Sequence, residues 1–330
     1  MKILITGIAG FIGSHLAEWL IQNDHHVSGI DNLNDFYSPD LKRANLQDLQ
    51  QVASQKAASV KFYEGDIRDE VFVLETLKKE SPDVIIHLAA MAGVRPSIQR
   101  PLLYEDVNCR GTLILLEACQ QLNIRNFIFG SSSSVYGLNQ KVPFAEDDLV
   151  NQPFSPYAQT KRAGELQCRV YHELYKINIA CLRFFTVYGP RQRPDLAIRK
   201  FTDLIFNNKK IPIFGDGSFA RDFTYIDDII DGIVKSMQWA CEGTLMAPRY
   251  DIFNLGESAT TTVNQMIDLI ERNSGIKALR DYQPQMPGDV PITFADISKS
   301  KKILGYNPQT KIEEGIPKFI DWYKNHSKKS

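Results

Sequence analysis

The chain has 330 residues, of which 43% are hydrophobic and 23% charged, and its formal net charge is -1. That length supports one large or two modest globular domains with a sizeable core, and the even balance excludes a protein that binds nucleic acid or anionic membranes by bulk charge. No stretch approaches the roughly 20 apolar residues needed to cross a bilayer, and MKILITGIAG is broken by glycines and lacks a signal-peptide cleavage site.

In chain order, the first half alternates short apolar runs with amphipathic segments. KILITG, HHVSGID, VKFYEGD, DVIIHLAA, NFIFGSSS and IACLRFF read as buried strands, and SHLAEWLIQND, DEVFVLETLKKE and GTLILLEACQQLN as the helices between them. This alternation predicts an α/β fold: a doubly wound parallel sheet of Rossmann type, with its chemistry beyond the carboxyl ends of the strands. Residues Asn34 to Ala58 form an insertion after the second strand, expected to be helical, charged and exposed. After about residue 185, Pro190, Pro194, Pro212 and the Gly215-Asp216-Gly217 turn mark a loop-rich region, yet DDIIDGIVKSMQWA and YDIFNLG still read as a helix and a buried strand. The expected division is a dinucleotide-binding domain over 1–185 that also receives about 224–256, and a smaller mixed α/β substrate domain from 186–223 and 257–330. The tail KNHSKKS reads as a basic, frayed end.

Cys109, Cys119, Cys168, Cys181 and Cys241 form no CxxC pair, so buried reduced thiols and a cytoplasmic address are expected, with no metal.

Gly7, Gly10 and Gly13 join the first strand to the first helix. Glycines there allow a tight turn and close approach to a pyrophosphate resting on the helix N-terminus, with Phe11 and Ile12 in its first turn. Asp31 closes the second strand, where a carboxylate accepts bonds from an adenosine ribose and repels a 2′-phosphate; this favours NAD over NADP, and the bland alternative is a turn cap. Asn32 follows it. Asp66 and Ile67 end the third strand and suit an adenine contact, and Leu88, Ala89 and Ala90 follow the fourth strand along the cofactor. His87 reads as a packed strand-end residue rather than a catalyst.

Tyr157 and Lys161 are four apart in SPYAQTK and share one helix face. A phenol titrates near pH 10, and lowering that by three units requires about 4 kcal/mol of differential interaction. A nearby ammonium and a positive nicotinamide are the expected sources. Ser132, in GSSSSVYG, is the candidate to hydrogen-bond the reacting oxygen.

These motifs, with HLAAMAGVRPS, VNCRGTLILLEA, RFFTVYGP, GDGSFARDFTYIDD and MPGDVPITFADISKSKKILGY, resemble the extended short-chain dehydrogenase/reductases of the nucleotide-sugar epimerase and dehydratase group, over nearly the whole chain. The GxxGxxG spacing is part of that resemblance. It implies that Ser132, Tyr157 and Lys161 are the catalytic set, that Asn108 supports the active site as one of the cofactor-binding residues, that Asp289 holds a uridine ribose, and that the protein pairs into a homodimer through helices over Leu102 to Gln121 and Tyr157 to Tyr175.

The residues beside Ser132 discriminate among reactions. Dehydratases of the group carry an Asp-Glu pair there and the decarboxylating uronate enzymes a Glu; this chain has Ser133 and Ser134, which donate hydrogen bonds but perform no acid/base work near neutral pH. With Thr186 they form a hydroxyl cluster suited to a sugar carboxylate. DNLNDFYSPDLKRANL and RQRPDLA are similar to UDP-glucuronate 4-epimerases, which implies interconversion of UDP-glucuronate and UDP-galacturonate. The alternatives are a neutral UDP-hexose or UDP-N-acetylhexosamine 4-epimerase, or a UDP-uronate decarboxylase. Arg193 and Arg221 are candidate diphosphate clamps, because a guanidinium matches phosphate in a fork. Arg95 and Arg191 are candidates near sugar or diphosphate, and the sequence does not separate those roles. Thr293 falls where a bulky gate would stand, leaving room for a larger sugar substituent.

Overall fold

The computed structural model describes residues 1–56, 58–284 and 290–326. The first half builds β1 (Lys2–Thr6), α1 (Phe11–Gln22), β2 (His26–Asp31), α2 (Pro39–Gln55), β3 (Val60–Glu64), α3 (Glu70–Glu80) and β4 (Val84–His87). Then come α4 (Val94–Gln99), α5 (Pro101–Tyr104), a π-helical turn (Glu105–Arg110), α6 (Gly111–Leu122), β5 (Asn126–Ser132), α7 (Pro156–Tyr175) and β6 (Asn178–Phe184). The remainder is β7 (Thr186–Tyr188), α8 (Ala197–Phe206), β8 (Lys210–Phe214), β9 (Ala220–Arg221), β10 (Phe223–Tyr225), α9 (Ile226–Cys241), β11 (Tyr250–Leu255), β12 (Thr261–Thr262), α10 (Val263–Ser274), β13 (Leu279–Gln283), α11 (Ser298–Leu304) and α12 (Ile312–His326).

Seven parallel strands form one sheet in the order β11-β6-β5-β4-β1-β2-β3. Side chains alternate across a strand, and here both faces are buried. Ile3, Ile5, Val84, Ile86, Ala180 and Leu182 enter one core, against α1 and α9. Leu4, Ile85, Phe127, Phe129, Ile179 and Cys181 enter the other, against α3, α6 and α7. This explains why the strands read as unbroken apolar runs. The order reverses between β1 and β4, which opens a crevice at the carboxyl ends of the strands. Helix α9 and strand β11, read from the later half of the sequence, return to this sheet: β11 pairs with β6 from Tyr250↔Ile179 to Leu255↔Phe184.

Three small two-stranded sheets, β10-β7, β12-β9 and β13-β8, lie outside the main sheet. Residues 285–289, which include Asp289, fall outside the described residues, as do the last four of the tail.

The insertion departs from expectation on one face. Helix α2 is capped by Ser38, whose hydroxyl accepts from Asp40 N, and it begins with Pro39 at a position where the missing N–H costs nothing. Its outer face is exposed as expected, at Arg43, Gln47, Asp48 and Gln51, but its inner face packs on α1 and buries Lys42, Asn45, Leu49 and Ala53. Asn45 Nδ2 donates to Ala9 O at 2.9 Å, fastening the insertion to the glycine-rich turn.

Candidate active site

A cleft of about 370 Å³ runs along the carboxyl ends of the strands. At its start, Gly7 has φ of +77°, and a Cβ there would lie 2.8 Å from Ala89 N. A Cβ on Gly13 would lie 2.1 Å from Gly7 O, so the first turn of α1 sits directly on the β1 turn. No side chain caps α1 at Gly10, so its first N–H groups face the cleft with the positive end of the helix dipole. This is an anion seat of the kind a pyrophosphate takes.

Of the residues read from the sequence as cofactor contacts, Gly7, Gly10, Phe11, Ile12, Gly13, Asp31, Asn32, Asp66, Ile67, Leu88, Ala89, Ala90, Tyr157 and Lys161 all line the cleft. Asp31 also caps its own turn, accepting from Ala9 N at 3.1 Å and Leu33 N at 2.9 Å. Burial raises its pKa against those bonds. Asp66 is gripped by Arg68 through Nε at 2.9 Å and Nη2 at 2.8 Å, which pulls its carboxyl down to about 2, and it accepts from Asn32 Nδ2 at 2.9 Å. Asn108 is no wall residue. It lies buried in the π-helical turn, accepting from Met91 N at 2.8 Å and donating to Met91 O at 2.9 Å and Thr160 Oγ1 at 3.0 Å. It therefore joins the loop after β4 to α7 and, unlike the other residues read as cofactor contacts, is not among the lining residues.

Helix α7 begins with Ser155, whose hydroxyl accepts from Ala158 N at 3.1 Å, and with Pro156. One turn in, Tyr157 and Lys161 face the cleft together with Ser132, Ser133, Ser134 and Thr186. Lys161 Nζ donates to Gly130 O at 2.7 Å, which fixes it against the end of β5, and burial pushes its pKa down to about 8. Tyr157 shares this end of the cleft. Burial raises its pKa; the hydrogen bond with Ser132 and the charge of Arg193 oppose that rise without cancelling it. The cationic neighbour acting on the phenol here is Arg193, while Lys161 is anchored to a carbonyl. Ser132 Oγ also donates to Ser134 Oγ at 3.1 Å. Beneath this group, Glu165 is fully buried and takes Ser131 Oγ at 2.7 Å, Arg183 at 2.9 and 3.0 Å and Arg162 at 2.9 Å.

The arginines separate. Arg193 lines the cleft, pairs with Asp195 at 2.8 Å and lies 5.4 Å above the Phe36 ring. Arg191 is two residues away, but it ion-pairs with Glu18 of α1 and is no part of the cleft wall. Arg95 stacks on Phe214 at 4.8 Å, and Arg221 donates to Ala220 O at 2.9 Å and Pro291 O at 3.4 Å; neither lines the cleft among the described residues. Of these four arginines, Arg193 is the one that lines the cleft among the described residues. Thr293 N donates to Ala220 O at 3.1 Å, so it is held beside β9.

Sequence reading missed the walls supplied by the insertion and its lead-in: Asn34, Phe36, Tyr37 and Lys42. Lys42 Nζ donates to Asn34 O at 2.7 Å and lies 4.7 Å over the Tyr37 ring, near Asp31. An amphipathic signal was present, but charge was read as exposure.

The sequence model of the family described as GDP-mannose 4,6 dehydratase matches residues 4–319. The chain belongs to that family. A UDP-glucuronate 4-epimerase of Thermodesulfobacterium geofontis is 43% identical over 324 residues, covering 98% of this chain and 96% of that protein. A solved UDP-glucuronic acid 4-epimerase from Bacillus cereus, in complex with UDP-glucuronic acid and NAD, superposes with a TM-score of 0.88 at 39% identity, over 98% of this chain and 99% of that one. A UDP-glucose 4-epimerase from Thermotoga maritima with UDP-glucose superposes at 0.87 and 32%, with the same coverages.

Proposed function

We propose that the chain is an NAD-dependent isomerase that interconverts UDP-glucuronate and UDP-galacturonate at C4 through a transient 4-keto sugar. The observation that carries this is the composition of the cleft. Among the described residues its only lining carboxylates are Asp31 and Asp66, at or just past the ends of β2 and β3, while the Tyr157 end carries the hydroxyls of Ser132, Ser133, Ser134 and Thr186. A dehydratase needs an acid and a base beside the sugar; hydroxyl donors instead suit a sugar that brings its own carboxylate. The relatives that match over full length, and the Bacillus cereus structure that holds UDP-glucuronic acid and NAD, support the same reading.

NAD, when bound, stores the C4 hydrogen and returns it to the other face, so none is consumed. Its pyrophosphate fits the open N-terminus of α1, and its ribose fits Asp31, Asn34 and Lys42. Tyr157 takes the proton of the C4 hydroxyl and later gives it back, and Ser132 hydrogen-bonds the same oxygen. Arg193 supplies positive charge that favours the phenolate against burial, and Lys161, held on Gly130 O, completes the set on the same face of α7. Ser133, Ser134 and Thr186 hold the carboxylate. The 4-keto uronate is a β-keto acid, and localising its charge keeps carbon dioxide from leaving. Arg193 is the diphosphate clamp within the cleft. Arg221 and Asp289 belong to the nucleotide-binding part formed by 186–223 and 257–330.

Four of the five free thiols are buried, which suits a reducing, cytoplasmic setting. No helix among the described residues is long and apolar enough to cross a membrane. Leu113, Leu166, Val170 and Leu174 are exposed on α6 and α7, the surface on which we place a homodimer seam.

The neutral-sugar reading keeps some support from the near-equal superposition on the Thermotoga maritima enzyme. Product analysis decides between them: the purified protein converts UDP-glucuronate to UDP-galacturonate without net NADH or pentose, leaves UDP-glucose unchanged, and loses activity as Tyr157→Phe. Turnover of UDP-glucose alone would overturn the reading.

A further inference from the structure

We propose that His87 is a positioning residue for this site: as a neutral imidazole with its proton on Nε2, it ties the cofactor wall after β4 to the helix that carries Tyr157 and Lys161. Each proton around the ring can be placed. Thr112 Oγ1 lies 2.5 Å from Asn108 O. A carbonyl only accepts, so the one hydroxyl proton of Thr112 is committed there. His87 Nε2 lies 2.9 Å from the same Thr112 oxygen, so Nε2 must donate. In a neutral ring Nδ1 is then bare, and it accepts from Thr6 Oγ1 at 2.7 Å. With its proton spent, Thr6 Oγ1 accepts from Ala89 N at 3.2 Å.

Every proton in this run has one place to go. The other tautomer would set two lone pairs against each other at Thr112. An imidazolium would strip the Thr6 hydroxyl proton of its acceptor. The ring is buried, with the Phe127 and Phe129 rings centred 5.9 and 5.8 Å from it. Burial, aided by the charge of Lys161, pushes the His87 pKa down to about 3, which keeps the ring neutral at working pH.

The run reaches further than its own residues. From Asn108 the side chain continues it, donating to Thr160 Oγ1 at 3.0 Å, and Thr160 donates to Tyr157 O at 2.9 Å. One end is thus the Ala89 N–H on the cleft wall, beside the Gly7 turn. The other is the backbone of Tyr157. His87 is not among the residues that line the cleft; it sets the distance between the two parts that must meet. This role rests on the proposed hydride-transfer function, but its chemical signature does not.

The test uses the protein as purified with its dinucleotide. Long-range ¹⁵N–¹H NMR of the histidines is expected to show His87 as the neutral Nε2–H form, without titration from about pH 5 to 8. A His87→Leu variant is expected to lose about 10- to 100-fold in kcat, as misplacement of reacting groups does, with the KM for UDP-glucuronate little changed and the midpoint of the pH-rate profile moved. His87→Gln, whose amide offers one acceptor and one donor, recovers most of kcat. A titrating ring, an Nδ1–H tautomer, a folded His87→Leu variant with the parent kcat and pH profile, or equal losses for Leu and Gln would each overturn the proposal. If His87→Leu does not fold, Thr112→Val replaces it: an unchanged tautomer and rate would be equally fatal. A protein inactive on UDP-glucuronate that shows the expected tautomer would refute the function and leave the tautomer assignment standing.

Discussion

The glycine-rich turn allows a graded test of the cofactor seat. A methyl group on Gly13 would stand 2.1 Å from Gly7 O, 2.9 Å from Gly7 C and 3.0 Å from Ile8 Cα, where ordinary contact begins near 3.4 Å. All three are backbone atoms, so α1 must retreat from β1 by about 1.3 Å, the difference between 3.4 and 2.1 Å. Overpacking of this kind costs about 1–3 kcal/mol, and it displaces the N–H groups that meet the pyrophosphate. Gly13→Ala is therefore expected to lose both stability and NAD. Gly10→Ala separates the two effects. A Cβ there meets only Gly7 O, at 3.2 Å, and otherwise points into the cleft. Its expected signature is nearly unchanged unfolding in urea with NAD affinity reduced at least tenfold. Both variants are measured by denaturation and by titration of the stripped protein with NAD. If Gly10→Ala binds NAD as the parent does, the cleft is not the dinucleotide seat and the glycines serve only the turn.

Three further outcomes follow from the same geometry. Glu165→Gln leaves Arg183, which is 1% exposed, without its carboxylate partner; denaturation should show a loss of about 3–5 kcal/mol, and a loss below 1 kcal/mol would contradict the assigned network. His15 donates through Nε2 to Pro190 O, and burial together with Arg191 pushes its pKa down to about 3. The unfolded chain therefore binds one more proton there between about pH 6.5 and 3, so this residue's contribution is present above pH 6.5 and is lost on acidification, by roughly 1 kcal/mol per pH unit; relative to His15→Gln, the parent should lose stability more steeply across that window, and parallel curves would refute the assignment. Thr186→Val should raise the pentose by-product from UDP-glucuronate and slow epimerisation, and if neither changes, Thr186 does not hold the carboxylate.

What could be read from the sequence follows the range of the interactions. The seven-stranded sheet was legible because a parallel strand buried on both faces leaves an unbroken apolar run, as in KILIT and NFIFGSS. Gly7, Gly10, Gly13, Tyr157 and Lys161 were legible because their spacing is local. The arginines were not. Arg191 and Arg193 are two apart in sequence, yet one is taken by Glu18 across the fold and the other reaches the cleft over Phe36. Lys42 looked like one charge on a solvated helix; only the packing of α2 on α1 shows it buried beside Asp31. The burial of Tyr157 was not legible for a related reason. Neighbouring cations can be guessed from a motif, but the burial that opposes them depends on how β5, α7 and the 193–196 loop close around the ring.

The central claim is that hydrogen leaves C4 as a hydride, waits on the dinucleotide and returns to the same carbon. Epimerisation of UDP-glucuronate in deuterium oxide, followed by ¹H NMR of the UDP-galacturonate formed, tests it directly. The account predicts protium at C4 of the product. Deuterium at C4 in proportion to turnover would mean that the hydrogen came from solvent, and the role assigned to Tyr157 and the cofactor cleft would be wrong.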